Sequence, residues 1–190
     1  MPNWCNNSID INGPTDKIKD LFEKAGQEDS GLLQAMVPMP SELNDTQAPS
    51  DGDNWYDWRV SNWGTKWDVD LEGLDLHDNG DGTSTISGWF DSAWAPPIDA
   101  YNSFLELNED CSISALYEEG GMDFAGSYEN GEDEFLDGIS DHARASYLND
   151  YGSSGNELYD RLDSQLDLTE SRAEYIQEEL EEEKETEESA

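Results

Sequence analysis

Three stretches of this chain alternate apolar and polar residues and a fourth is β-prone, and that pattern restricts the fold more than any other feature. Ser8-Ile9-Asp10-Ile11 closes a run that starts at Trp4. Trp67, Val69 and Leu71 lead to Leu74 and Leu76, with room for a bulge at Gly73. Thr83 to Phe90 is rich in Ser and Thr. Cys111, Ile113, Ala115 and Tyr117 repeat the alternation. A period of two reads as a strand with one face buried. Helical spacing separates these runs. Ile18, Leu21 and Phe22 follow the turn Asn12-Gly13-Pro14, with Thr15 as N-cap and Gly26 as stop. Pro96-Pro97 opens a second helix whose inner face is Ile98, Tyr101, Phe104 and Leu105.

The connections are also readable. His77-Asp78-Asn79-Gly80-Asp81-Gly82 is a hairpin signal. Gly31 to Val37 reads as a strand or extended segment, and Asn54 to Trp63 as a short helix before Gly64. Phe124 to Tyr128 is expected to pair with Cys111 to Tyr117 across Gly120-Gly121. The order strand, helix, hairpin, helix, hairpin predicts an α+β domain over residues 1–130. Its simplest form is a ferredoxin-like antiparallel sheet with helices on one face.

Composition shifts after Gly131. Asp141 to Tyr151 reads as a short helix, and Leu158, Leu162, Leu166, Thr169, Ala173, Ile176 and Leu180 step by three or four. That is one apolar stripe on a long amphipathic helix, with a break at Leu168-Thr169. Residues 131–190 are therefore expected to form an acidic helical extension. The stretch Glu178 to Glu188 is expected to fray.

The charge decides which partners are open to such a chain. Lys and Arg number 9 against 46 Asp and Glu, a formal net charge of -37 on 190 residues. Such a surface has no basic patch to neutralise phosphates, which excludes direct nucleic-acid binding and an anionic membrane surface. With 35% hydrophobic and 11% aromatic residues the chain can still bury a core. No apolar run approaches a membrane span, and Met1-Pro2-Asn3-Trp4-Cys5 has neither the basic nor the apolar region of a signal peptide. Cys5 and Cys111 are expected to be reduced thiols in a cytoplasmic protein.

Motifs for chemistry are sparse. Aligning Asp78 to Gly82 with a calcium loop puts His77 and Gly88 where acids are needed. His77 and His142 lack spaced partners, and no glycine-rich phosphate loop occurs. No catalytic residue, metal or cofactor is therefore expected, and binding is expected rather than enzymatic activity.

The densest cluster is Trp55-Tyr56-Asp57-Trp58-Arg59 followed by Trp63-Gly64-Thr65-Lys66-Trp67-Asp68. Its cations can pair with Asp57 and Asp68 or stack on rings, at a core edge. The same residues suit a recognition pocket, since Trp and Arg are favoured at interface hot spots. The candidate binding residues here are Trp58, Arg59, Trp63, Lys66 and Trp67.

Six blocks then carry a resemblance. They are Met1 to Asn7, Pro38-Met39-Pro40, Trp55 to Trp58, Trp63 to Asp68, Ala93 to Pro97, and Tyr117-Glu118-Glu119-Gly120. In order and approximate spacing they resemble the YubB-type ferredoxin-like domain family of bacteriophages and conjugative plasmids, over roughly residues 1–130. The resemblance implies a ferredoxin-like fold and, for a phage-encoded protein, the host cytoplasm. It implies no catalytic residues and does not reach the acidic extension.

Three functions fit. A nucleic-acid (DNA) mimic would inhibit a basic, nucleic-acid-binding host protein through Glu170, Glu174, Glu178, Glu181, Glu182 and Glu185 on one helix, extended by Asp78 and Asp81. Like charges four residues apart weaken a helix by roughly 0.2–0.5 kcal/mol per pair, so stability alone does not favour the row. Leu162, Leu166, Ile176 and Leu180 would dock that helix on the domain or on a second copy as a homo-oligomer. The first alternative is a structural or adaptor domain acidic through salt adaptation. The second is a small-ligand or enzymatic pocket around Trp58, Lys66 and Trp67.

Overall fold

The computed structural model describes residues 3–48 and 52–188. The chain divides into two compact units. Unit 1 comprises residues 1–122 and 127–134, and unit 2 comprises 123–126 and 135–190.

Unit 1 is built on a central strand, β1 (Trp4–Pro14), in which polar and buried side chains alternate. It lies antiparallel to β3 (Thr83–Ala93) on one side and β4 (Ser112–Glu119) on the other, and β2 (Leu74–Asp78) pairs with β3. Strands β5 (Phe124–Glu129) and β6 (Glu132–Asp137) complete a six-stranded antiparallel sheet of order β2-β3-β1-β4-β5-β6. The α+β fold is thus compatible with the ferredoxin-like arrangement: two strand–helix–strand crossovers interleave so that every neighbour is antiparallel.

Helices α1 (Thr15–Ala25) and α4 (Ile98–Leu107) make those crossovers. The core forms where Ile18 and Leu21 of α1 and Ala100, Tyr101 and Phe104 of α4 meet Ile9, Ile11, Ile86, Ile113 and Ala115 of the sheet. The other sheet face is polar, as an antiparallel sheet covered on one side should be. On it, exposed Asn6, Ser8 and Asp10 of β1 lie opposite Asp91, Trp89 and Ser87 of β3.

Local expectations fail where a distant group decides the backbone. Gly31 to Val37 is not a strand: Leu32–Met36 is the short helix α2. Its first amides are satisfied by Asp68, whose Oδ1 accepts from Leu33 N–H at 2.8 Å and from Gln34 N–H at 3.3 Å. The alternation from Trp67 is not a ladder, because β2 starts only at Leu74. Val69 is buried nonetheless, and its carbonyl accepts from Leu32 N–H at 2.7 Å. Thr15 is the first residue of α1, after Pro14, and its Oγ1 accepts from Ser84 Oγ instead of capping the helix. A single 3₁₀ turn at Ser41–Leu43 precedes α3 (Trp55–Trp63).

Unit 2 holds α5 (Ile139–Leu148), α6 (Glu157–Leu166) and α7 (Leu168–Glu188). Asn156 caps α6 through Leu158 and Tyr159 N–H, and Asp167 at φ 51° breaks the chain before α7. Asp163 then accepts from Thr169 N–H at 2.7 Å, so the break is a capped junction. α7 packs on α5 and α6 and buries Leu168 and Ile176. Two expectations for residues 131–190 need correction. The segment is not wholly helical, since Glu132–Asp137 is a strand whose side chains are nearly all exposed. The acidic run does not fray from Glu178, because α7 continues to Glu188. Arg144 of α5 holds Glu183 at 2.6 Å and Glu179 at 3.4 Å, which offsets repulsion along that face.

Candidate functional site

The aromatic site grows from α3. Asn54 Oδ1 accepts from Tyr56 N–H at 3.1 Å and Asp57 N–H at 3.0 Å, which starts the helix, and Gly64 in the left-handed region at φ 81° ends it. Trp63 is fully buried, and its Nε1–H donates to the Val37 carbonyl at 2.9 Å. Trp58 meets it edge to face at 5.8 Å.

Arg59 lies 4.8 Å above the Trp63 ring and 5.4 Å above Trp55. Its Nε is buried without a hydrogen-bond partner. Burial lowers the guanidinium pKa, and the Asp68 charge opposes that shift. Ring stacking, not ion pairing, therefore holds Arg59. Asp57 accepts from Asn54 Nδ2 at 2.6 Å, and Asp68 caps α2, so neither carboxylate appears among the ion pairs of the described residues.

Past Gly64 the second cation repeats the arrangement. Lys66 Nζ lies 4.7 Å from the Trp67 ring, 5.3 Å from Trp94 and 5.8 Å from Tyr56. Trp67 in turn meets Trp4 at 5.6 Å. Thr65 Oγ1 donates to the Ala93 carbonyl at 2.8 Å and ties this loop to the end of β3. Trp94 sits at φ 69°, uncommon for a bulky residue, while its N–H donates to the Asn3 carbonyl at 3.0 Å.

The five candidates Trp58, Arg59, Trp63, Lys66 and Trp67 thus lie in one continuous array with Trp55, Tyr56, Trp94 and Trp4. Trp63 and Trp58 belong to its packed end, and Lys66 and Trp67 to its open end. Trp4 and Trp89, by contrast, carry no local sequence signal of a site. Their signal lay in strand register, which places Trp4 opposite Ala93 and Ser8 opposite Trp89.

The acidic candidates lie apart from these in the chain. Glu170, Glu174, Glu178, Glu181, Glu182 and Glu185 are exposed on α7. Asp78 and Asp81 are turn-builders. Asp78 accepts from Gly80 N–H and Lys19 Nζ, each at 3.0 Å, and those contacts, the backbone one first, lower its pKa. Asp81 accepts from Thr83 N–H and Oγ1.

Cys5 and Cys111 are both free thiols. Burial pushes the Cys5 thiol up to about 12, far from a nucleophile's range. Among the described residues no group of three His, Cys, Asp or Glu is placed to hold a metal, and no helix is long and apolar enough to cross a membrane.

No family model matches the chain, and no curated protein does. Among solved structures it is similar to protein api92 from Yersinia pseudotuberculosis, of the family described as DUF1281. The identity is 17%, the match covers 58% of this chain, and the TM-score is 0.40. The chain spans 41% of that protein's length.

Proposed function

We propose that this protein acts by binding a basic surface of another protein, in the manner of a nucleic-acid-mimicking inhibitor, with the outer face of α7 as the contact. The carrying observation is the exposed row Glu170, Glu174, Glu178, Glu181, Glu182 and Glu185 on a helix from which Arg144 ties back Glu179 and Glu183. Few cations compete with it. Lys17, Lys19 and Lys24 pair with carboxylates, and Arg59 and Lys66 lie on rings. A field of -37 steers a basic partner and makes association salt-dependent. The resemblance to the YubB-type family supports a phage or plasmid origin and thus the host cytoplasm, and the charge of -37 suits a host nucleic-acid-binding protein as the partner.

The test is affinity capture from bacterial lysate at low and high salt. It uses the full chain and a variant carrying Glu170→Gln, Glu174→Gln, Glu178→Gln and Glu182→Gln. A basic protein retained by the parent and lost by the variant, with a shallower salt slope, supports the reading. Equal affinity and slope would remove α7 as the contact.

A second reading is salt adaptation, favoured by one observation: exposed carboxylates are dense in both units, from Glu23 and Glu28 to Asp53, Asp75 and the α7 row. It predicts stability that rises with molar salt and no basic partner.

A further inference from the structure

We infer that a cleft in unit 1, walled by Trp4, Trp67 and Trp89, is a receptor for an arginine side chain presented by a protein partner. The cleft has a volume of about 560 Å³, and its rim carries the exposed carboxylates Asp70, Glu72 and Asp91. It goes beyond the α7 reading, because it assigns a separate site with its own ligand chemistry.

Two of its walls are tryptophans left in water by the fold. Trp89 is 67% exposed and Trp4 45%. Strand register puts both on the polar face of the sheet, where Trp4 faces Ala93 and Ser8 faces Trp89. The position of Trp89 is fixed by two glycines. Its N–H donates to the Gly73 carbonyl at 3.0 Å. A Cβ on Gly73 would stand 2.2 Å from the Trp89 carbonyl oxygen, and one on Gly88 2.1 Å from the Gly73 oxygen. The close backbone approach that aims Trp89 outward therefore requires glycine at both positions. Trp67 is the third wall. Lys66 Nζ lies 4.7 Å from its ring, and Trp4 meets it at 5.6 Å, tilted by 41°.

The lining decides the ligand. Apart from the indole N–H groups, its polar side chains are carboxylates and Ser92, whose hydroxyl donates to the Ala95 carbonyl at 2.7 Å. Asp68 is engaged by α2. Asp91 accepts from Asn6 Nδ2 at 2.6 Å and Asp70 from Glu72 N–H at 2.9 Å, each through Oδ1, so the rim offers a ligand their Oδ2 atoms and the Glu72 carboxylate, all acceptors. A sugar hydroxyl would meet these carboxylates one bond at a time and bring no charge to them, whereas a guanidinium carries five donors, a positive charge and no acceptor to leave unpaired. Ring faces attract a cation, and the planar guanidinium stacks on them while its edge reaches carboxylates bidentately. Lys66 and Arg59 show the same pairing of cation and indole within this chain.

The test titrates the full chain with Nα-acetyl-arginine methylamide in moderate salt and follows the indole N–H resonances by NMR. The citrulline analogue, a neutral isostere, and methyl glucoside are run beside it. Saturable shifts of Trp4, Trp67 and Trp89 with the arginine probe are expected, and none with the other two. Trp89→Ala should weaken binding about fivefold or more, and Glu72→Gln with Asp91→Asn should weaken it further. Trp89→Phe should retain it. Because Trp89 is exposed, its truncation is expected to leave the fold intact, checked by the unchanged Trp63 resonance. The four α7 Glu→Gln substitutions should not alter this affinity, so the two sites stand or fall separately. Equal binding of citrulline or glucoside, or no effect of Trp89→Ala, would overturn the assignment.

Discussion

Asp68 caps helix α2 from another segment of the chain: its Oδ1 accepts from Leu33 N–H at 2.8 Å across 35 residues of sequence. The same oxygen accepts from Val69 N–H at 2.8 Å, so one carboxylate anchors the helix and its own loop. Asp68→Ala is expected to cost about 1–2 kcal/mol in urea unfolding, the range of a lost N-cap.

Asp68 also sets a pH dependence. Burial raises its pKa, and the backbone N–H donors from Val69, Leu33, Gln34 and Gly31 pull it back only in part. The folded state therefore holds the proton more tightly than the unfolded chain. Its contribution to stability is fully present below the ordinary carboxylate value and declines as pH rises through the raised folded value. Asp68→Asn keeps an acceptor at Oδ1 and removes the charge. Its stability relative to the parent should improve as pH rises from about 3 to about 7, measured by paired urea titrations. A constant difference across that range would contradict the assignment.

Trp63 is the core end of the aromatic array. Trp63→Ala should destabilise by about 3–5 kcal/mol. Trp63→Phe keeps a ring but leaves the Val37 carbonyl without its donor, a loss of about 1–3 kcal/mol. Calorimetric unfolding of both variants separates the packing and hydrogen-bond contributions.

At Gly88 the backbone lies at φ 146°, close against Gly73. Gly88→Ala is expected to destabilise by about 2 kcal/mol or more. In the same variant the Trp89 indole resonance should move, because the close backbone approach that aims it is displaced.

Native alkylation with iodoacetamide at mildly alkaline pH should label Cys111 before Cys5. Cys5 is fully buried with its thiol pushed up to about 12, whereas Cys111 is half-buried. Both should label in urea. Mass spectrometry of the time course reads the order.

Strands β1, β3 and β4 were legible because each has one buried and one polar face, so the alternation records the sheet directly. Helix α2 was not, since five residues make a helix only with help, and Asp68 supplies it from a distance. Strand β6 was not legible either: Glu132-Asp133-Glu134-Phe135 lies exposed at the sheet's end, with no apolar face to set a period. The site shows the same division. Trp58, Arg59, Trp63, Lys66 and Trp67 stood out because they are neighbours in sequence. Trp4 and Trp89 join Trp67 only through strand register, which no local pattern reveals.

The placement of β6 has a consequence for how molecules of this protein meet one another in bulk. A terminal strand is a template on which another chain can polymerise. Here that template is guarded by Glu132, Glu134 and Asp137, all exposed. A second β6 approaching at the ~4.8 Å strand spacing would bring carboxylates against carboxylates. Removing those charges together, in a Glu132→Gln, Glu134→Gln and Asp137→Asn variant, disarms the guard and should turn a colloidally stable protein into one that grows fibrils from its rim.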